Sequence, residues 1–276
     1  MFKFFSSILI VLFTCVCSAQ QLNLMSYNIK YANENDGENS WSKRKEFLAD
    51  QIQFYEPEII GLQEALKLQI DHFLLKIGEY GYLGVAREDG KEKGEYTAIL
   101  YKKEEFDVID TGNFWLSETP GKVSTGWDAA LPRICTYARF RNKNSKAEFW
   151  VFNTHFDHKG KNARTKSAEL ILEKIAELNT NALPVFLLGD LNLEPDAEGV
   201  LHIMKELKDS KSLAKHTFGP TGTFNGFQFD QPVERRIDYI FVSEQVLVKK
   251  HAVLSDSKDL KYPSDHLPVL IETEIR

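Results

Sequence analysis

Six short apolar runs each carry a polar, metal-capable or proton-transferring side chain within the run or just past its end. They are Leu22–Ile29 with Asn28, Ile59–Glu64 with Glu64, and Phe149–His155 with His155. The others are Val185–Asn192 with Asp190 and Asn192, Ile237–Val242 with Asp238, and Ser264–Ile271 with Asp265 and His266. A carboxylate in a half-buried strand is costly to desolvate unless a cation, an ion partner or hydrogen bonds compensate it. Six such sites spread over the chain point to one cavity lined by carboxylates, carboxamides and imidazoles. The fold must therefore deliver distant strand ends to a single place.

Strand-like runs recur at Leu22–Ile29, Tyr96–Tyr101, Cys135–Phe140, Phe149–Asn153, Val185–Leu188, Ile237–Val242, Val246–Leu254 and Leu267–Ile275. They are rich in Val, Ile, Phe and Tyr, as half-buried strands are. Helical periodicity occupies Trp41–Tyr55, Leu62–Ile77, Ala163–Leu178 and Glu198–Leu207. Strand pairs with no helix between them, such as Cys135–Phe140 and Phe149–Asn153 across the Asn142–Lys146 turn, predict antiparallel hairpins. The pattern predicts one α/β domain of two packed mixed sheets with helices outside. Glu104–Pro132 and His216–Glu234 are expected to be long loops forming the walls of a binding site.

With 276 residues, 43% hydrophobic and 12% aromatic, the chain can bury one large core. The formal charge of −6 excludes a strongly basic nucleic-acid-coating surface, but not action on a phosphate ester at a locally positive site. Residues 1–19 are expected to be an export signal, with Lys3 leading, an apolar stretch Phe4–Val16 too short to span a membrane, and cleavage after Ala19. Residues 20–276 would then form the single domain, exported to the periplasm or secreted. Cleavage leaves Cys135 as the sole cysteine, so no internal disulfide is available.

The motifs narrow the chemistry. In Gly189-Asp190-Leu191-Asn192 a carboxylate and a carboxamide project the same way at strand spacing, able to polarise a water or hold a hard cation. Asp265 and His266 are adjacent, so in an extended chain they point to opposite faces and cannot pair. Asp238 in Arg236-Ile237-Asp238 is the natural partner for His266. His155 offers a second imidazole, able to donate a proton or hydrogen bond to a phosphoryl oxygen. Asp157 and His158 after it are turn residues or part of the substrate wall. Asn28, Glu64, Asp190, Asn192 and Asp265 are oxygen donors, a set that favours magnesium, manganese or calcium. Zinc has neither an HExxH nor paired-cysteine spacing. No P-loop, nucleophile elbow or Rossmann glycine pattern is present.

These segments, in this order from Asn28 to Pro268, resemble the endonuclease/exonuclease/phosphatase family, which includes deoxyribonucleases, abasic-site endonucleases, sphingomyelinases, inositol-polyphosphate 5-phosphatases and deadenylases. The resemblance implies a four-layer α/β/β/α sandwich with the site at one end of the sheets. It implies Glu64 as chief metal ligand with Asn28 and Asp265, Mg2+ or Mn2+ as the cation, and Asp190 activating the attacking water. Asn192 would contact the phosphate, and Asp238 with His266 would form the family's Asp–His pair. His155 would assist the leaving oxygen, oriented by Glu95. Arg133 would face the phosphate, with His158 and Arg164 as further substrate contacts.

The implied reaction is metal-assisted hydrolysis of a phosphodiester or phosphomonoester by direct attack of water, in a monomer without stable membrane insertion. Lys43-Arg44-Lys45 and the set Lys159, Lys161, Arg164 and Lys166 are either nucleic-acid contacts or solvated helix starts. Phe114-Trp115-Leu116 and Trp127 sit among acidic residues and are expected to form a pocket wall rather than a membrane anchor, with Phe224 and Phe227 opposite. A small or single-stranded phosphoester is favoured over duplex DNA. The alternatives are a nuclease on DNA or RNA, a sphingomyelinase-like lipid phosphodiesterase, a zinc hydrolase of non-phosphate substrates, and a non-catalytic binding module.

Overall fold

The computed structural model describes residues 20–275; the expected export signal over residues 1–19 lies outside the described residues. In chain order the elements are β1 (Gln20–Asn28), α1 (Trp41–Tyr55), β2 (Ile59–Gln63), α2 (Lys67–Lys76), β3 (Tyr80–Leu83), β4 (Ile99–Lys102), β5 (Phe106–Trp115), β6 (Ile134–Asn142) and β7 (Glu148–His155). They continue as α3 (Lys161–Leu178), β8 (Val185–Asp190), α4 (Glu198–Glu206), β9 (Lys208–Asp209), α5 (Ser210–Leu213), β10 (His216–Phe218), β11 (Asp238–Val242), β12 (Val246–Val253) and β13 (Val269–Ile275).

The strands form two mixed sheets, ordered β10-β12-β13-β1-β2-β4-β3 and β5-β6-β7-β8-β11-β9. Alternation along each strand decides the layers. Leu22 and Leu24 of β1 face Val151, Phe186, Leu188 and Ile240 across the seam between the sheets. Met25 and Tyr27, one residue out of phase, pack on Leu48, Ile52, Ile70 and Phe73 of α1 and α2. On the other sheet Trp150, Phe152, Leu187 and Phe241 pack on Ala168, Ile171, Val200 and Ile203 of α3 and α4. The result is helices, sheet, sheet, helices. No helix among the described residues is long and apolar enough to cross a membrane.

At the rim of the first sheet β10 runs parallel to β12, and each sheet has a parallel pair near its centre, β1 with β2 and β7 with β8. The four central strands end at the same edge of the sandwich, bringing Asn28, Glu64, His155 and Asp190 together. β11 runs antiparallel to β8, with Asp238 opposite Asp190 at its start. β13 runs antiparallel to β1, which brings His266 just ahead of it to the same edge.

Beneath that edge the seam turns polar. Asn153 donates to the Leu62 and Ala98 carbonyls at 2.9 Å each and accepts from Gln63 Nε2 at 2.7 Å. A side chain at Gly61 would meet this carboxamide, since a Cβ there stands 2.7 Å from Asn153 Oδ1 and 3.2 Å from Leu188 Cβ. Gly61→Ala is expected to cost about 1–3 kcal/mol by overpacking, read as a drop in the thermal midpoint; an unchanged midpoint rejects the tight seam.

The segment Glu104–Pro132, expected to be a loop, contains the ten-residue strand β5. Asp107, Asp110, Thr111 and Gly112 break its apolar pattern because β5 is an edge strand with a bulge between Val108 and Asp110 and one solvated face. Phe114 and Leu116 are correspondingly core residues against α3 and not a pocket wall. Trp115 is also buried, and its indole N–H donates to the Arg87 carbonyl at 2.8 Å.

Candidate active site

A cleft of about 360 Å³ opens at this edge, lined among others by Lys30, Glu64, Arg87, Glu95, Arg133 and His158. His155, Asp190, Asn192, Phe224, Arg235, Asp265 and His266 complete much of its wall. The strand ends turn sharply here. Lys30, Glu64 and Asn192 all have positive φ (55°, 59° and 49°), which costs a non-glycine residue roughly 1–2 kcal/mol each. Strain of this kind concentrates at functional sites. Gly189 is required by close packing of the strands: a Cβ there would stand 2.4 Å from the Thr154 carbonyl of the neighbouring strand.

Asp190 is 1% exposed. Its Oδ1 accepts the Asn192 N–H and its Oδ2 accepts Asn28 Nδ2, both at 2.9 Å. Burial raises its carboxyl to about 7, with the charge of Asp238 adding to the effect. His266 stands between the two aspartates, Nδ1 at 2.9 Å from Asp238 Oδ2 and Nε2 at 3.7 Å from Asp190 Oδ2. Burial works against its charge, but Asp238 and Asp190 prevail and raise the imidazole to about 10. The site therefore holds an imidazolium clamped by Asp238 beside a carboxyl poised near neutrality. Phe224 covers this imidazole at 4.8 Å between ring centroids, and the Arg235 guanidinium lies 5.0 Å over Phe224.

On the other side of Asn28, Glu64 Oε1 accepts Asn28 Nδ2 at 3.2 Å and Oε2 accepts the Tyr31 N–H at 3.2 Å, with Lys30 Nζ at 3.8 Å. Burial raises the Asp265 carboxyl, and Glu64's charge pushes it further against the pull of His266 and Lys30. Two mutually repelling carboxylates beside a carboxamide suit a hard divalent cation, so the residues present fit the implied metal. Asp190, Asp238 and His266 also bring ligand-type atoms within 4.8 Å of one another. There His266 Nδ1 already bonds Asp238, so that trio is an ion triad.

Arg44, placed above in a basic cluster, is buried in α1 and donates to the carbonyls of Ile29, Lys30, Tyr31, Asn39 and Pro263. With Ser264 Oγ, which donates to the Asn28 carbonyl at 2.7 Å, it locks the Asn28–Tyr31 turn to the Asp265 loop.

The remaining expected residues divide. Arg133 is buried in the wall, its Nη2 3.1 Å from His158 Nδ1. That donor leaves His158 neutral with its N–H on Nε2; burial and then Arg133 lower its pKa. Arg164 does not line the cleft: its guanidinium donates to the Asp157 carbonyl at 3.0 Å and braces that loop. Glu95 lines the cleft but is not bonded to His155, with Oε2 lying 3.9 Å from His155 Nδ1. Both of its oxygens are taken by Arg87, at 2.6 and 2.9 Å. Phe227 and Trp127 are not among the lining residues, whereas Lys30, Arg87 and Arg235 are. Those three cations flank the motifs in loops without periodicity. Adjacency to Asn28 and to Arg236-Ile237-Asp238 was the only signal for Lys30 and Arg235, and Arg87 carried none.

A profile of the Endonuclease/Exonuclease/phosphatase family matches residues 25–266. A family protein of that description from Bacteroides thetaiotaomicron superposes with a TM-score of 0.91 at 38% identity, covering 94% of this chain and 99% of that one. A mannosyl-6-phosphatase of the same organism gives 0.88 at 39% identity, covering 91% and 99%. The uncharacterized protein L388 of Acanthamoeba polyphaga mimivirus is 30% identical over 161 residues, 56% of this chain and 60% of that relative's length.

Proposed function

The chain belongs to the endonuclease/exonuclease/phosphatase family, and on that premise we propose that it hydrolyses a small phosphate ester by direct attack of water. The observation that carries this reading is Asp190, a buried carboxyl raised to about 7 beside an imidazolium fixed by a second aspartate. A base needs a proton affinity near the working pH, and burial beside Asp238 supplies it. Asp190 accepts the proton of the attacking water as the new P–O bond forms, His266 stabilises the charge left between them, and the ester P–O bond breaks with the leaving oxygen taking a proton from solvent. Arg133, Lys30, Arg235 and the N–H of His158 offer donors to the phosphate oxygens. Asn28 joins the two halves of the site, donating to both Glu64 and Asp190. Glu64, Asp265 and Asn28 would hold magnesium or manganese, which when bound supplies the positive charge that offsets the developing charge on phosphate.

The substrate class follows from size and charge. About 360 Å³ holds a phosphorylated sugar or nucleotide and not a long duplex, and a chain of net charge −6 lacks a cationic track for one. The mannosyl-6-phosphatase likeness favours a sugar phosphomonoester. The test is phosphate release with magnesium from hexose 6-phosphates, inositol phosphates, single-stranded and duplex DNA, RNA and sphingomyelin. Hexose phosphate is expected to be the best of these. A clear preference for nucleic acid overturns the substrate class. No hydrolysis of any phosphoester with any cation makes the chain a binding module, and rescue by zinc but not by magnesium or manganese overturns the metal.

A further inference from the structure

Asn192 Nδ2 donates to the Phe156 carbonyl at 3.1 Å, which settles which end of that carboxamide is nitrogen. The same nitrogen stands 3.2 Å from His155 Nε2, inside hydrogen-bond distance, whereas the other group facing that ring atom, Asp190 Oδ2, lies beyond it at 3.6 Å. A donor facing that ring atom requires a lone pair on it, so the imidazole is neutral and its only N–H is on Nδ1. Burial, then Arg133 and Arg87, push the ring well below its ordinary pKa, in keeping with the neutral form.

The Nδ1 side adjoins a second, smaller cavity of about 10 Å³, lined by Arg87, Glu95, Thr97, Arg133 and His155 among others. That is close to the smallest space that takes one water. Tyr96 and Ile134 make much of its wall apolar, and charged groups reach it at a few points. Arg87 and Arg133 are 6% and 4% exposed, and Arg87 Nε and Arg133 Nη1 are buried with no protein acceptor. Glu95 Oε2, at 3.9 Å from Nδ1, is beyond a direct hydrogen bond and within reach of a shared water.

We propose that His155 is held as a neutral Nδ1–H imidazole, joined to Glu95 through one water in this cavity, with Arg87 as the positioning residue that keeps Glu95 from taking the ring directly. His155 then holds the carboxamide of Asn192 through its Nε2 lone pair and is not the source of the proton for the leaving oxygen. Only this bearing on catalysis rests on the hydrolase reading; the protonation state stands on the hydrogen bonds.

Ring-nitrogen NMR on the full chain with 15N-labelled histidine, magnesium present, tests it. The His155 signal is assigned by its loss in His155→Gln. Between about pH 6 and 8, which brackets an ordinary imidazole's titration, the ring is expected to show a protonated Nδ1 and a bare Nε2. A proton on Nε2, or a charged ring, overturns the proposal. A crystal structure is expected to show one water bonded to both Glu95 and His155; a direct Glu95–Nδ1 bond overturns the relay. Arg87→Gln frees Glu95 to pair with the ring and is expected to raise the pH at which His155 gains its second proton by at least about one unit, a tenfold shift in equilibrium. An unchanged titration in a folded variant overturns the role of Arg87. None of these readouts needs turnover, so their failure is distinct from failure of the phosphoesterase reading.

Discussion

Asp190→Asn is expected to cut turnover by at least about 100-fold while the protein stays folded, the scale on which loss of a positioned acid–base group falls. The substitution keeps the shape of a side chain that is 1% exposed and the acceptor for the Asn192 N–H. It sacrifices the bond from Asn28, because two amide N–H groups would then face each other. That costs about 1 kcal/mol, set against removal of a buried charge.

The sign of the pH effect follows from the raised carboxyl. A carboxyl near 7 in the folded state and about 3.9 in the unfolded chain binds its proton more tightly when folded. Its stabilising contribution is fully present below the unfolded value and is lost as pH rises through about 7. The asparagine variant escapes that loss, so its thermal midpoint relative to the unaltered chain should improve from pH 5 to pH 8. The acid limb of turnover in the unaltered chain should lie well above the ordinary carboxylate range and belong to Asp190 and its neighbours together. Near-normal turnover in the folded variant would remove Asp190 from the chemistry.

Glu64→Gln is expected to raise the magnesium concentration needed for half-maximal activity by at least about tenfold, or 1.4 kcal/mol, and chelation of the unaltered chain should abolish hydrolysis. Glutamine retains the reach of the side chain, so the loss is one of charge. Glu64 is held by Asn28, the Tyr31 N–H and Lys30, and its carboxyl ends below the ordinary range despite burial, because Lys30 and His266 outweigh the desolvation. Titration calorimetry of magnesium into both proteins reads the same quantity without substrate. Equal binding by the two would place the cation elsewhere.

Much of this architecture was legible because the runs that carry chemistry are also the runs that must be buried. Leu22, Leu24, Phe149, Val151, Phe186 and Leu188 fill the seam, and a polar residue terminating such a run had to end at the seam's edge. The separation of Asp265 from His266 by opposite-face projection was legible for the same geometric reason. What escaped was decided by tertiary surroundings. β5 hid because an edge strand tolerates Asp107, Asp110 and Thr111 on its solvated face. Arg44 looks like a solvated helix residue between two lysines, but it is buried and satisfied by five backbone carbonyls. Glu95 falls at the expected place along the chain, but its bonding depends on Arg87, which sits in a loop with no pattern to announce it.

The proposed base and the proposed cation-binding corner hang from different sheets, Asp190 at the end of β8 and Glu64 just past the end of β2, and they meet across the Gln63–Asn153 carboxamides. Asn28, His155, Asp190 and Asp238 thus sit in backbone ladders, whereas Phe224, Arg235 and His158, which would meet the rest of a substrate on the proposed reading, ride on connecting segments. Drift in those segments can retune what is recognised while the bond-breaking apparatus stays untouched. A scaffold partitioned in this way is suited to diversify, one lineage at a time, into hydrolases of unlike molecules that share a phosphorus–oxygen bond.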